Sequence, residues 1–322
     1  MKYILLNNTD LRVSALALGT GSFFSHISNQ ESEKLLDYYF EQGGNLFDTA
    51  NYYGRWNPGN QPLSEIYLGK WIKKRELRNK IILGTKGACY PVNRPDIPRV
   101  TVKDISHDLH ESLKNLQTDY IDFYWLHQDD PTQPVDAIID LLNKFVTEGK
   151  IRYFGCSNWS VERMEQAKKY AEGHHIKSFS ASQVMYNLAS PNMSALHELK
   201  QTWVCDTQQK YYEKNKMPLF AYTSQAMGIF SLALRSDFLD TDKYQNAKKY
   251  FYNEITLKRI QKVKKLSKNI GHSPIEICLA FLLSHPFQII PIIGPYQLDE
   301  LQESLNSSTL TLQKETIEWL LT

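Results

Sequence analysis

Asp48 follows apolar Leu46 and Phe47 at the end of a strand-like run, and Tyr53 comes five residues later in the stretch NLFDTANYYG, which ends at Gly54. A carboxylate buried at the end of such a run is costly unless something pairs with it. Two further groups stand at the ends of β-type runs: Lys86 in LGTKG and His127 in YWLHQDD. Each alone has a plain structural reading: an aspartate closing a turn, a lysine reaching solvent, a satisfied core histidine. Together they fit one chemistry. A tyrosine with an ordinary pKa of about 10 is a poor proton donor and acceptor at neutral pH. An ammonium beside it favours the phenolate and lowers that pKa, and the aspartate pairs with the ammonium. A neutral histidine can hydrogen-bond the same carbonyl oxygen. Such an assembly protonates an alkoxide as it develops, which is what carbonyl reduction needs.

Placing four such groups on one rim requires strands that end side by side. After a hairpin over residues 2–14, the β-type runs are Ala15–Thr20, Asn45–Ala50, Ile81–Lys86, Tyr120–His127, Ile151–Asn158, Ser180–Asn187, Pro218–Ser224 and Ile289–Gly294. Helical patterns lie between them at Glu31–Gln42, Thr101–Leu116, Val135–Glu148 and Val161–Glu172. Thr101 and Ser160 suit N-caps, and Gly43, Gly149 and Gly173 suit stops. This alternation argues for a parallel sheet, and eight units for an α/β fold of the closed (β/α)8, or TIM-barrel, type with an N-terminal hairpin. The rival doubly wound sheet predicts three glycines after the first strand. LALGTGSFFSH supplies Gly19 and Gly21 but not the third. No linker divides the chain, so residues 1–322 read as one domain. The run 228–253 reads as a long aromatic-containing insert on the functional rim, and 311–321 as an additional C-terminal helix.

The composition, 42% hydrophobic and 22% charged, is that of a globular protein able to bury a core. Lys and Arg number 37 against 35 acidic residues, so no global field favours nucleic acid or an anionic membrane. The basic stretch 258–268 follows helical spacing and reads as a solvated face. Cys89, Cys156, Cys205 and Cys278 are scattered without metal-binding or redox spacing. With no signal peptide and no long apolar run, a cytoplasmic location is the expectation, with no membrane and no metal.

The ordered motifs resemble the aldo-keto reductase superfamily over nearly the whole chain. DTANYYG resembles its Asp-Thr-Ala-x-x-Tyr-Gly signature, GCSN its Gly-x-Ser-Asn element, and QVMYN its Gln-x-x-Tyr-Asn element. The resemblance implies a catalytic set of Asp48, Tyr53, Lys86 and His127, and NADP(H) or NAD(H) as cofactor. It implies that Ser157, Asn158 and Gln183 hold the nicotinamide carboxamide. Tyr222 in FAYTS stacks on the ring, with Thr223, Ser224 and Gln225 following. PIIGPYQLDELQESL is similar to the terminal segment that grips the adenosine half, which assigns Gly294, Tyr296, Glu300, Glu303 and Ser304 to the cofactor. The insert 228–253 is either a clasp over the dinucleotide or a surface excursion.

The substrate side is expected from aromatics around the mouth: Tyr52, Trp56, Trp125 and Trp159, interleaved with Arg55, Asn57, Gln128, Asp129 and Asp130. Aromatic faces with carboxylates and amides suit a sugar or polyol carbonyl as the small-molecule partner. The machinery is reversible, so an aldose or cyclitol dehydrogenase is the first alternative. Members of the superfamily also serve as regulatory β subunits of potassium channels, a reading that wants a partner-binding extension. Oligomeric state is not legible. The run 286–312 contains no Lys or Arg, while Asp299, Glu300 and Glu303 are acidic. A 2′-phosphate there meets like charge, so NAD(H) is expected to be used at least as well as NADP(H).

Overall fold

A computed structural model describes residues 1–198 and 201–322. The hairpin pairs β1 (Tyr3–Leu5) antiparallel with β2 (Arg12–Ser14). Eight parallel strands then close into a barrel: β3 (Ala17–Gly19), β4 (Leu46–Asp48), β5 (Ile82–Gly87), β6 (Ile121–Leu126), β7 (Ile151–Ser157), β8 (Ser182–Met185), β9 (Leu219–Tyr222) and β10 (Ile289–Ile293), which returns to β3. Every one falls within a run read from the sequence, or one residue beyond it.

The outer layer begins with α1 (Asn29–Glu41), α2 (Leu63–Lys74), α3 (Val102–Leu116), α4 (Val135–Thr147) and α5 (Val161–His174). Thr101 and Ser160 cap α3 and α5 by accepting from the backbone N–H groups of Asp104 and Arg163. Gly43 and Gly149 follow α1 and α4 in left-handed geometry, as expected. Gly173 does not end α5. The helix runs on to His174, and His175 takes the left-handed position instead.

Helices α6 (Met193–Glu198) and α7 (Asp206–Asn215) follow β8. The insert after β9 is more ordered than a loop: it contains α8 (Ile229–Leu232) and α9 (Gln245–Phe251). The Tyr250 carbonyl of α9 accepts from Asn192 N–H beside α6, and Tyr250 and Phe251 are buried. The insert is thus anchored through α9 to the segment after β8. Helix α10 (Glu254–Ile270) carries the basic stretch, and α11 (Pro274–Leu283), α12 (Leu298–Asn306) and α13 (Lys314–Leu321) complete the set. The terminal helix docks on α10, where Arg259 and Lys262 donate to the Leu321 and Trp319 carbonyls.

Two cores result. One lies between barrel and helices. The other fills the barrel, where hairpin residues Leu6, Leu11 and Val13 cluster with Leu46, Phe123, Trp125, Phe220 and Ile290. Strand β6 is buried along its whole length, as a parallel strand covered on both faces must be. No helix among the described residues is long and apolar enough to cross a membrane.

Candidate active site

Parallel strands deliver their carboxyl ends to one rim. Asp48 is the last residue of β4, Lys86 the penultimate of β5, and His127 follows β6 directly. Tyr53 is returned to that rim by a tight turn in which its N–H donates to the Ala50 carbonyl. Gly54 makes the turn feasible. It sits at φ +92°, and a Cβ there would lie 2.7 Å from Leu63 Cβ. The Tyr-Gly pair is therefore one device: the glycine folds the loop back and the tyrosine faces the strand ends.

The ammonium of Lys86 is saturated. It donates to Asp48 Oδ2 at 2.6 Å, to the Thr49 carbonyl at 2.8 Å and to the Tyr53 hydroxyl at 3.1 Å. Lys86 is 1% exposed and Asp48 3%. The His127 ring stands edge-on to Tyr53, centroids 5.8 Å apart. Its Nδ1 is buried without a hydrogen-bond partner among the described residues.

Electrostatics correct one expectation. Burial pushes the Tyr53 hydroxyl above the ordinary tyrosine value, and the lowering influence of Lys86 only partly offsets it. Burial pulls Lys86 down, but Asp48 and Tyr53 outweigh that, and the ammonium is held above its ordinary value. Burial, reinforced by Lys86, drives His127 well below the usual imidazole range, so the ring is neutral. At neutral pH the site thus holds a protonated tyrosine, an ammonium and a neutral imidazole.

The residues assigned to the nicotinamide gather on the adjacent arc. Register pairs Ser157 on β7 with Gln183 on β8. Asn158 sits at φ +62°, and its Oδ1 accepts from Tyr222 Oη at 2.8 Å and Thr202 N at 3.1 Å. Its Nδ2 gives one hydrogen to Ser157 Oγ. Gln183 Nε2 donates to Asp48 Oδ1 at 3.1 Å. Asn158 is left with a spare amide hydrogen and Gln183 with its Oε1 oxygen. One donor and one acceptor side by side match the carbonyl and amino ends of a carboxamide, so the set fits that group. Tyr222, pinned through its hydroxyl, offers a half-buried ring at the end of β9.

The dinucleotide end is more mixed. Thr223, Ala226 and Met227 share left-handed backbone with Gly228, which bends the chain sharply after β9. Ser224 is buried and its hydroxyl donates to the Ile292 carbonyl, so it ties this loop to β10 and has no hydrogen left to donate. Gln225 Nε2 donates to Ser304 Oγ, and Ser304 in turn donates to the Glu300 carbonyl. The Glu300 carboxylate accepts the Tyr296 N–H at 2.7 Å, and Ser22 donates to the Tyr296 hydroxyl. Gly294 faces open space. Burial pushes the Glu303 carboxyl above the ordinary range.

Two residues expected on the substrate side are buried. Trp125 is 1% exposed and lies inside the barrel, stacked on Phe123 and against Phe220. Its seat exists because Gly155 has no side chain: a Cβ there would fall 2.5 Å from the indole. Trp159 is fully buried, donates to the Gln128 carbonyl, and packs edge-on to Phe179. Neither presents an accessible face. Four of the five polar neighbours are also engaged, whereas Gln128 is held only through its backbone carbonyl among the described residues. Arg55 bonds Asn51, Asn60 and Glu111; Asn57 bonds Gly54; Asp129 takes Arg163; Asp130 takes Thr132. Tyr52 and Trp56 do line the rim, and two rings unforeseen from sequence join them. His26 stacks on Trp56 at 5.6 Å, and Tyr90 meets Tyr52 at 5.8 Å. His26 carries no local signal, whereas Tyr90, just past β5, sits in a loop on the functional rim.

Behind Tyr52 lies a cavity of about 250 Å³ lined by Arg55, Tyr90, Arg99, His107 and Glu111. His107, Asp108 and Glu111 bring ligand atoms within 4.8 Å of one another. Both carboxylates are already paired, Asp108 with Arg99 and Glu111 with Arg55.

The Aldo/keto reductase family model matches residues 15–320. The chain is 29% identical to the uncharacterized oxidoreductase YrpG of Bacillus subtilis, covering 99% of this chain and 95% of that one. It is 28% identical to Protein tas of Escherichia coli, covering 98% and 96%. Among solved structures, a thermostable aldo-keto reductase, Tm1743, superposes with a TM-score of 0.72 at 24% identity, covering 100% of this chain and 99% of that one.

Proposed function

We propose that this chain, which belongs to the aldo/keto reductase family and is an NAD(P)(H)-dependent oxidoreductase, reduces a carbonyl with Tyr53 as the proton donor. The observation that carries the reading is the saturated Lys86 ammonium. Because Lys86 donates to the tyrosine oxygen, Tyr53's own proton is left to donate elsewhere, towards a substrate carbonyl oxygen. The nicotinamide, when bound, supplies the hydride in reduction or takes it up in oxidation. Asn158 and Gln183 would hold its carboxamide, and Tyr222 would back its ring. As the substrate oxygen gains charge, Tyr53 gives up its proton and Lys86 stabilises the phenolate that forms. His127, neutral, can donate a hydrogen bond to the same oxygen without competing as an acid. The upward shift of Tyr53 keeps it protonated at neutral pH, which favours the reductive direction. Oxidation needs the phenolate and gains as pH rises.

The rim around Tyr53 bears on the substrate. Tyr52, Trp56, Tyr90, His26 and His127 form linked ring contacts there. The Asp129 and Asp130 carboxylates and the Asn57 amide, which would bind sugar hydroxyls, are committed to protein partners, which leaves the Gln128 side chain as the amide on offer. A flat aromatic aldehyde or ketone therefore suits this rim better than the sugar or polyol expected from the aromatic and polar residues around the mouth. The test is turnover of aromatic aldehydes and of aldoses with NADH and NADPH, by the wild type and by Tyr53→Phe. The variant should lose turnover by roughly a hundredfold to ten-thousandfold while still binding dinucleotide. Near-native turnover in Tyr53→Phe, with chemistry rate-limiting, would remove Tyr53 from the role. A preference for aldoses would restore the sugar reading.

A further inference from the structure

Both oxygens of the Asp48 carboxylate are used, and by different strands. Oδ2 accepts from Lys86 on β5, and Oδ1 accepts from Gln183 Nε2 on β8, 135 residues away along the chain. Gln183 is buried, and its side chain makes no other hydrogen bond among the described residues. We propose that Gln183 is a positioning residue for the acid: by holding Asp48 it fixes where the Lys86 ammonium sits against Tyr53. The same amide carries an unspent Oε1, so occupation of the carboxamide site and placement of the ammonium are coupled through one side chain. This rests on the reading of Tyr53 as the proton donor.

A carboxylate with both oxygens engaged has one orientation. Freed on the Gln183 side, Asp48 can turn about its terminal torsion and offer both oxygens to Lys86. That draws the ammonium away from Tyr53 and leaves the phenolate less stabilised, so the tyrosine should ionise at higher pH. The groups facing Tyr53 are few. Lys86 and Asp48 come from β5 and β4, Cys89 from the loop after β5, His127 from the end of β6 and Tyr222 from β9. Burial keeps His127 neutral, pushes the Cys89 thiol up to about 12 and drives Tyr222 up as well. At neutral pH the Asp48–Lys86 pair is the charge that faces Tyr53 among the described residues, so its geometry governs Tyr53.

The test uses the full chain without dinucleotide. Tyrosine-ring ¹³C NMR follows the Tyr53 titration, with Tyr53→Phe identifying its signal. Gln183→Leu should raise the onset of ionisation by about half a unit to one unit, and Gln183→Glu by more, because it adds negative charge beside Asp48. In an Asp48→Asn background, Gln183→Leu should add nothing further, which is the signature of action through Asp48. Unchanged Tyr53 titration in the folded Gln183→Leu or Gln183→Met protein would overturn the proposal, whatever the added charge of Gln183→Glu does. A Gln183→Leu shift undiminished in the Asp48→Asn background would do the same. If Gln183→Leu does not fold, Gln183→Met, neutral and close in shape, carries the test with the same expected rise. Dinucleotide binding, measured by fluorescence, separates the rival: a residue that only grips the carboxamide weakens binding and leaves Tyr53 unmoved. Failure here leaves the Tyr53→Phe result untouched, so the two readings fall separately.

Discussion

Removing the Lys86 ammonium tests the site through stability as well as through rate. Lys86→Met keeps the length of the side chain but deletes three hydrogen bonds, to Asp48, Thr49 and Tyr53. The larger consequence is what remains. Asp48 is 3% exposed, and no other cation bonds its carboxylate among the described residues. Breaking a buried ion pair by removing one partner costs about 3–5 kcal/mol, mostly because a charge is left uncompensated. For 322 residues the unfolding entropy is on the order of 0.7 kcal/mol/K, so Tm should fall by roughly 4–7 °C. The double variant Lys86→Met/Asp48→Asn has no stranded charge and should recover most of that loss. Scanning calorimetry of wild type, both single variants and the double variant reads the cycle directly. The same Lys86→Met variant should need higher pH for alcohol oxidation, because Tyr53 loses the cation that favours its phenolate. A Lys86→Met Tm within a degree of wild type, or a double variant less stable than either single one, would refute the argument that this ammonium exists to be shared.

Three other outcomes can be checked independently. His127 is held neutral well below its unfolded value of about 6.5, so the unfolded chain takes up a proton that the folded one refuses. Its stability contribution is therefore lost as pH falls: against His127→Gln, the wild type should lose up to about 1.4 kcal/mol per pH unit below about 6.5 in denaturant titrations. Trp125→Ala should lower stability by about 3–5 kcal/mol, as a core indole does, whereas Trp56→Ala should leave Tm within a few degrees and raise KM for an aromatic aldehyde. Fluorescence titration with NADH and NADPH should give comparable affinities, and a hundredfold preference for NADPH would mean that a basic residue outside 286–312 reaches the phosphate.

The barrel was legible because its signal is redundant. Eight β-type runs alternate with helical ones, and a parallel strand covered on both faces, such as β6, reads as a continuous apolar run. The caps at Thr101 and Ser160 were legible for a local reason: a hydroxyl placed before a helical pattern satisfies its first free N–H groups. The end of α5 was not. Gly173 is the residue best suited to a stop, yet the chain continues and uses His175, which composition does not distinguish. The candidate set of Asp48, Tyr53, Lys86 and His127, which the structure brings together, was legible because charge at the end of an apolar run is conspicuous. The sign of the tyrosine shift was not, since it turns on burial against a neighbouring cation, two opposing effects whose balance needs coordinates.

The rim separates what a sequence can say from what packing decides. Trp56, in the loop after β4, and Trp125, near the end of β6, are both aromatic residues expected at the mouth, but one stacks on exposed His26 and the other fills the barrel. What distinguishes them is Gly155, on the neighbouring strand, whose missing Cβ makes room for an indole. No pattern in β6 itself announces that space. The terminal segment is the opposite case, because there the informative feature is an absence spread over a whole stretch. Without Lys or Arg from 286 to 312, no rearrangement of that segment can supply a cation to a phosphate. The structure adds that its carboxylates are placed: Glu300 clamps the Tyr296 N–H at the start of α12, and Gln225 holds Ser304. A segment with carboxylates and no cation is therefore expected to favour a ribose hydroxyl, which donates, over a phosphate dianion, and the paired cofactor titration tests this.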